Sequence, residues 1–146
     1  MRYFTKEWYL ACQTVPMTQA LQRQLQEAGE AYRAAQASEV LPDNLRQHFH
    51  FHDGVVRDIC AGTDYTLRID SPFSDDHFVT FHNALIRQEQ PRTGAVWLYE
   101  ELYRHKSGTG YEAHILFYAP SGPVHSRTLA SDLIVLKVIC TAISFA

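Results

Sequence analysis

The amino-acid sequence predicts an α+β protein, with helices in the first third and an antiparallel sheet of about six or seven strands, able to curl, after them. Three observations favour this class. Before residue 40, apolar residues recur at spacings of three and four, which is the period of a helix. After residue 54 they alternate with polar residues, which is the period of a strand. Short turns separate these strands, which favours antiparallel pairing because parallel crossovers are longer.

The helical part has recognisable start and stop signals. Thr5 and Thr18 are good N-caps for two helices, and Pro16 separates them. The second helix carries one apolar stripe, formed by Leu21, Leu25, Ala28, Tyr32 and Ala35. We expect the stripe to pack on the sheet, so that the helices belong to the core. At 146 residues the chain has the usual size of one domain, with residues 1–47 as its helical part and 48–146 as its sheet part.

The sheet part divides at its turn residues. We predict strands over residues 55–60, 65–69, 78–86, 95–104, 111–119, 124–129 and 133–143. Two glycines between residues 106 and 110 indicate a hairpin loop. Pairing Tyr103 with Tyr111 across this hairpin collects the aromatic residues on one face and sets Glu100 opposite His114. A slip of one residue would set Glu100 opposite Ile115, and a buried face disfavours it.

Composition excludes several classes of protein. A net charge of −3 gives no overall basic field to hold a polyanion, so we expect no nucleic-acid partner. The longest apolar stretch, at the end of the chain, is too short to span a bilayer and contains Lys137, so we expect no membrane association. The first residues do not form a secretory signal. Three widely spaced cysteines without a CxxC pair do not suggest disulfides or a thiolate zinc site, and a cytoplasmic location follows by elimination.

Three segments resemble a known family. They are the opening MRYFTKEWY, the segment FHDGVVRDI and the run VWLYEELYRHKSGTGYEAHILF. Together they resemble the bacterial family catalogued as domain of unknown function 4085. The resemblance spans most of the chain and implies an architecture. It implies no activity and no catalytic residue, because that family has none assigned.

The most conspicuous motif is His48-Phe-His50-Phe-His52-Asp53. In an extended strand its three histidines would share one face and could hold zinc or iron, with Asp53 as a further ligand. No distant ligand that would complete the site can be identified. The alternative interpretation is that the two phenylalanines are buried and the histidines are solvated, and we favour it.

The second candidate is the cross-strand pair of Glu100 and His114. A carboxylate beside an imidazole can serve general acid–base catalysis. It is also an ordinary cross-strand ion pair, and without a nucleophile beside it we favour that interpretation. Other catalytic and cofactor signatures, such as GxSxG, GxxxxGK[ST] and GxGxxG, are absent from the sequence, so we expect no cofactor.

The leading hypothesis is therefore a non-enzymatic protein-binding domain, of an immunity-like or accessory kind. One alternative is a small metal-dependent hydrolase that uses the His48–Asp53 run. Another is the binding of a small ligand within the curled sheet, lined by Trp97 and tyrosines. The apolar end of the chain, between Leu133 and Phe145, would aggregate as a bare edge strand, so it is either a covered central strand or an edge paired with a second chain. As the last strand in the sequence it joins the sheet most easily at an edge, and we therefore also expect a homodimer through it.

Overall fold

The computed structural model describes residues 1–146 and confirms the α+β class. Its helices are α1 (Lys6–Cys12), α2 (Gln19–Ser38), α3 (Asp43–His48) and a short α4 (Leu129–Asp132). Its strands are β1 (Gly54–Ala61), β2 (Tyr65–Asp70), β3 (Phe78–His82), β4 (Leu85–Ile86), β5 (Val96–Arg104), β6 (Tyr111–Tyr118), β7 (Leu133–Cys140) and β8 (Ala142–Phe145).

The first two helices begin where the sequence places their caps. Oγ1 of Thr5 accepts the N–H of Trp8 at 3.1 Å, and Oγ1 of Thr18 accepts the N–H of Leu21 at 3.2 Å. Tyr32, in the apolar stripe of α2, is buried. Its hydroxyl accepts the backbone N–H of Leu102 at 3.0 Å, which fixes α2 to β5.

All eight strands belong to one antiparallel sheet, in the order β4-β7-β6-β5-β1-β2-β3-β8. β4 follows β3 directly along the chain, and β8 follows β7 in the same way. β3 pairs with β8 at one end of the sheet, and β4 pairs with β7 at the other. The segment that contains β3 and β4 and the segment that contains β7 and β8 therefore meet at both ends. The sheet is therefore strongly curled. The predicted strands 78–86 and 133–143 are each divided in two, near Asn83 and Thr141, so that the sheet has eight strands.

The curled sheet encloses a core that is filled by side chains. Trp97, Phe51 and Phe117 are fully buried there, and the Trp97 ring lies 5.2 Å from Phe51 and 5.4 Å from Phe117. A second, smaller apolar cluster lies on the outer face, where Leu98, Leu116 and Leu133 pack beneath residues of α1. Both faces of β5 and β6 are consequently covered.

The predicted hairpin register is wrong over most of β5. It holds where Trp97 faces Phe117, but after a β-bulge between Trp97 and Tyr99 the pairing moves by one residue. Glu100 then lies opposite Ile115, and Glu101 lies opposite His114. The prediction assumed a single buried face. Because the outer face is also covered, apolar residues are buried on both faces of β5. Burial therefore does not disfavour the shifted register.

Two predictions about the last quarter of the chain are also corrected. Residues 124–129 form no strand: a 3-10 turn spans Val124–Ser126, and Leu129 begins α4, which Thr128 caps. The apolar end is not one edge strand. Of its two strands, β7 lies between β4 and β6, and β8 alone lies at an end of the sheet. A homodimer stays a prediction, now restricted to the parts of this segment that no neighbouring strand covers.

The three cysteines are free thiols, of which Cys140 is buried and Cys60 is exposed. Among the helices, none has the length and apolar character that crossing a membrane requires.

Candidate functional site

The most heavily buried charged group lies on the outer face of the sheet. Glu101 of β5 is completely buried beneath the first residues of the chain. Its carboxylate accepts three consecutive backbone N–H groups, from Arg2 at 2.7 Å, Tyr3 at 2.8 Å and Phe4 at 2.7 Å. The hydroxyl of Tyr103 donates a fourth hydrogen bond at 2.8 Å. Glu101 therefore anchors the N-terminal segment to the sheet.

These contacts keep the carboxylate of Glu101 ionised. Burial by itself raises the pKa of a carboxyl group, because it disfavours the charged form. Here the nearby His114 imidazole and the three backbone N–H groups outweigh burial and lower the pKa of Glu101 to about 2. Burial and the hydrogen bond to Glu101 raise the pKa of Tyr103, so that its hydroxyl stays a donor.

A chain of polar side chains runs from Glu101 across β6 to β7. The imidazole of His114 lies 3.8 Å from Oε2 of Glu101 and 2.7 Å from Oε1 of Glu112. Glu112 in turn pairs with the ammonium group of Lys137 at 2.7 Å. Burial raises the pKa of Glu112, but the contacts with Lys137 and His114 outweigh it and lower that pKa below its usual value. The chain leads from the buried face to the surface.

At Lys137 this polar chain opens into a groove of about 810 Å³, which we call the basic groove. Its walls are the segment after β4, the tip of the β5–β6 hairpin, β7 and the N-terminal residues. The charged side chains that line it are Arg2, Arg87, Arg104, Lys106, Lys137 and a single carboxylate, Glu112, with His105 among them. The basic groove thus holds five of the 13 basic side chains and one of the 16 acidic ones.

Most of these cations have no carboxylate partner. Lys137 is the only one of the five that forms an ion pair. The guanidinium of Arg2 lies over the Tyr103 ring at 4.4 Å, and that of Arg104 lies over the Tyr111 ring at 5.2 Å. Stacking on an aromatic ring orients a guanidinium without using its N–H groups, of which Arg104 gives one to a backbone carbonyl of the segment after α2 at 3.1 Å. The basic groove is therefore able to bind an anionic group.

The sequence offered no local signal for this site. Its five cations come from positions 2, 87, 104, 106 and 137. The pairing of distant strands and the docking of the N-terminal segment on Glu101 bring them together. The predicted pair of Glu100 and His114 is wrong, since the shifted register places the two residues on opposite faces. Glu100 accepts the Trp97 indole N–H at 2.7 Å and lies 3.2 Å from His50. Glu101 is the carboxylate beside His114.

The histidine run is not extended, so the predicted common face of its histidines is wrong. His48 ends α3, and Asp53 has a left-handed backbone with φ of 58°. The histidines have separate partners: His48 contacts Asp76 at 2.6 Å, His50 contacts Glu100, and Nδ1–H of His52 donates to the carbonyl of Leu98.

The phenylalanines of this run, Phe49 and Phe51, are buried. Asp53 lies 3.7 Å from Nε2 of His52. No group of three or more His, Cys, Asp or Glu side chains is arranged to hold a metal ion. The His48–Asp53 run therefore offers no shared set of ligands.

Comparison with known proteins places the chain in a family. It belongs to the family described as "Protein of unknown function (DUF4085)", whose model matches residues 17–128. No curated protein and no solved structure matches the chain. The family resemblance noted in the sequence is thereby confirmed, and any function has to be argued from the site.

Proposed function

We propose that this chain is a protein-binding domain of an immunity-like or accessory kind, which takes an acidic segment of a partner protein into the basic groove. The observation that supports this proposal is the concentration of five cations around one carboxylate, with four of the five unpaired. Unpaired cations in a groove attract carboxylates and make the encounter with an acidic partner faster.

The shape and lining of the basic groove favour an acidic peptide segment. Arginine binds carboxylates with two parallel hydrogen bonds, and Arg87 has no competing ion pair within the chain. Leu85 and Ile139 also line the groove, and the side chain of Leu85 is 45% exposed. An acidic segment that also carries an aliphatic side chain would satisfy both kinds of lining.

The rest of the chain favours a protein over a nucleic acid as the partner. With five of the 13 basic and one of the 16 acidic side chains in the basic groove, eight basic and 15 acidic side chains remain elsewhere. A long polyanion that left the groove would meet a predominantly negative surface. A short acidic segment of a folded protein would not. A cytoplasmic setting is part of the proposal and is compatible with the three free cysteines.

We expect a fluorescein-labelled oligoglutamate peptide to bind the protein, with an affinity that falls as salt is added, because charge attraction carries the binding. The double substitution Arg87→Glu and Lys106→Glu should weaken binding by about 100-fold at low salt, since it turns two attractions into repulsions. Fluorescence anisotropy titrations at several salt concentrations measure both effects.

The matched control reverses the charge of two basic residues outside the basic groove, with the substitutions Arg23→Glu and Arg57→Glu. This variant has the same net charge as the first, and we expect it to bind within a fewfold of wild type. Equal losses in the two variants would contradict the proposal, because binding would then follow net charge alone. Tighter binding of an oligothymidylate of equal charge through Arg87 and Lys106 would overturn it in favour of nucleic acid.

A further inference from the structure

A second polar cluster lies on the outer face of the sheet at β3 and β8. Its members are far apart along the chain. His82 of β3 stands between Asp64, in the turn before β2, and Ser144 of β8. Its Nδ1 lies 3.0 Å from Oδ2 of Asp64, and its Nε2 lies 2.8 Å from Oγ of Ser144. The atoms are in the order found in Ser-His-Asp triads, which are recognised by geometry and not by sequence position.

The hydrogen bonds fix the direction of proton donation. The backbone N–H of Asn83 donates to Oδ1 of Asp64 at 2.9 Å, and this bond and the contact with His82 lower the pKa of that carboxyl. Because an ionised carboxylate only accepts, Nδ1 of His82 carries a proton. In the neutral ring Nε2 is then an acceptor, and the Ser144 hydroxyl donates to it. Ser144 is thereby placed beside a base that a carboxylate orients.

The backbone of β8 supplies a donor next to Ser144. Phe78 and Ala146 exchange both of their N–H···O=C bonds, so the N–H of every second residue of β8 points towards β3. Phe145 is one of the intervening residues, and its N–H points to the opposite side, where the sheet ends. A backbone N–H next to the nucleophile can donate to an oxyanion that forms there.

We propose that Ser144, His82 and Asp64 form an acyl-transfer site that hydrolyses small, unhindered esters. Ser144 Oγ attacks the ester carbonyl carbon, its proton passes to Nε2 of His82, and the N–H of Phe145 donates to the oxyanion. The bond from carbon to the alkoxy oxygen then breaks, and the alcohol leaves with the proton from His82. Water then gives a proton to Nε2 of His82 and attacks the acyl carbon. The bond from that carbon to Ser144 Oγ breaks, His82 returns the proton to Oγ, and the carboxylic acid leaves.

The exposure of the cluster sets the class of substrate. Ser144 lies on the surface, and the side chains of His82 and Asp64 are 36% and 47% exposed. Water weakens the electrostatic stabilisation of an oxyanion at such a site. Esters with good leaving groups therefore fit this site, whereas amides do not. The inference is independent of the basic groove and goes beyond binding.

A fluorophosphonate probe tests the nucleophile directly, because it reacts covalently with activated serines. The hairpin offers a matched control: Ser107 Oγ lies 2.7 Å from Nδ1 of His105, a serine–histidine pair to which no carboxylate contributes. We expect peptide mass spectrometry to find the probe on Ser144 and not on Ser107. Labelling should disappear in Ser144→Ala, fall about tenfold in Asp64→Asn, and persist in Ser107→Ala.

Hydrolysis of p-nitrophenyl acetate gives the second readout. The rate above the buffer reaction should fall about tenfold or more in both Ser144→Ala and Asp64→Asn, while Ser107→Ala keeps the wild-type rate. Thermal melting of each variant checks that it is folded. No label on Ser144 in the folded wild-type protein, or equal rates in wild type and Ser144→Ala, would overturn the proposal.

Discussion

Replacing Glu101 with glutamine is expected to lower the free energy of unfolding by about 3 kcal/mol at pH 7, the value that corresponds to lowering the carboxyl pKa from 4.5 to about 2. The carboxylate of Glu101 accepts four hydrogen bonds, two on each oxygen. A glutamine side chain has one accepting oxygen, so at least two buried donors lose their acceptor. Urea unfolding of wild type and variant measures the difference.

The same residue makes stability depend on pH in a defined window. The pKa of Glu101 in the folded protein is below its ordinary value of 4.5, so its stabilising contribution is fully present above pH 4.5. The contribution falls as the pH drops from there towards 2, because the unfolded chain takes up the proton first. We therefore expect the stability difference between wild type and Glu101→Gln to narrow below pH 4.5.

The control for this experiment is Glu27→Gln. Glu27 forms an ion pair with Arg23 along α2 at 3.6 Å, and both side chains are largely exposed. Such a pair contributes about 0.5 kcal/mol or less, and we expect a correspondingly small change. A Glu101→Gln variant as stable as Glu27→Gln would contradict the anchoring role of Glu101.

Replacing Gly110 with alanine is expected to destabilise the protein by about 3 kcal/mol, through two effects at the residue just before β6. The residue has φ of +74°, where an alanine is strained. A Cβ there would also lie 2.2 Å from the carbonyl oxygen of Cys140, and backbone cannot rotate away as a side chain can. Thermal and urea unfolding measure the loss.

Gly108, in the same hairpin loop, is the matched control. Its φ is +83°, but a Cβ would have no atom within 4 Å. Gly108→Ala should therefore cost only the backbone strain, about 1 kcal/mol. Equal costs at the two glycines would show that Cys140 does not approach Gly110, and would contradict the described pairing of Tyr111 with Cys140.

Local patterns in the sequence were sufficient to predict the fold class. The period of apolar residues distinguishes α2 from the strands, Thr5 and Thr18 cap the helices, and the glycines after Lys106 mark the hairpin. The burial of Phe49 and Phe51 also follows from local pattern. Each of these features depends on residues that are close together along the chain.

The features that the sequence did not reveal depend on contacts between distant segments. The bulge after Trp97 inserts one extra residue into β5, and no local pattern in the sequence marks its position. Because of that extra residue, Glu101 lies opposite His114, where the sequence predicted Glu100. The histidine run was misjudged because α3 continues through His48 and the chain turns at Asp53.

The two candidate sites have the same origin in distant contacts. Arg2, Arg87 and Lys137 approach one another only through the pairing of β4 with β7 and the docking of the N-terminal segment on Glu101. Asp64, His82 and Ser144 meet only because β8 pairs with β3. No spacing along the chain signals either group, so both needed the three-dimensional structure.

The central claim, that the basic groove binds acidic segments, is tested most directly by mapping where such a segment sits. In a titration of ¹⁵N-labelled protein with oligoglutamate, the amide signals that move should cluster at residues 85, 87, 88, 104–106, 137 and 139, which line the groove. The same titration of the Arg87→Glu, Lys106→Glu variant should leave those signals in place. Shifts centred on α2 or on the β1–β2 turn, with the groove signals unmoved, would contradict the claim.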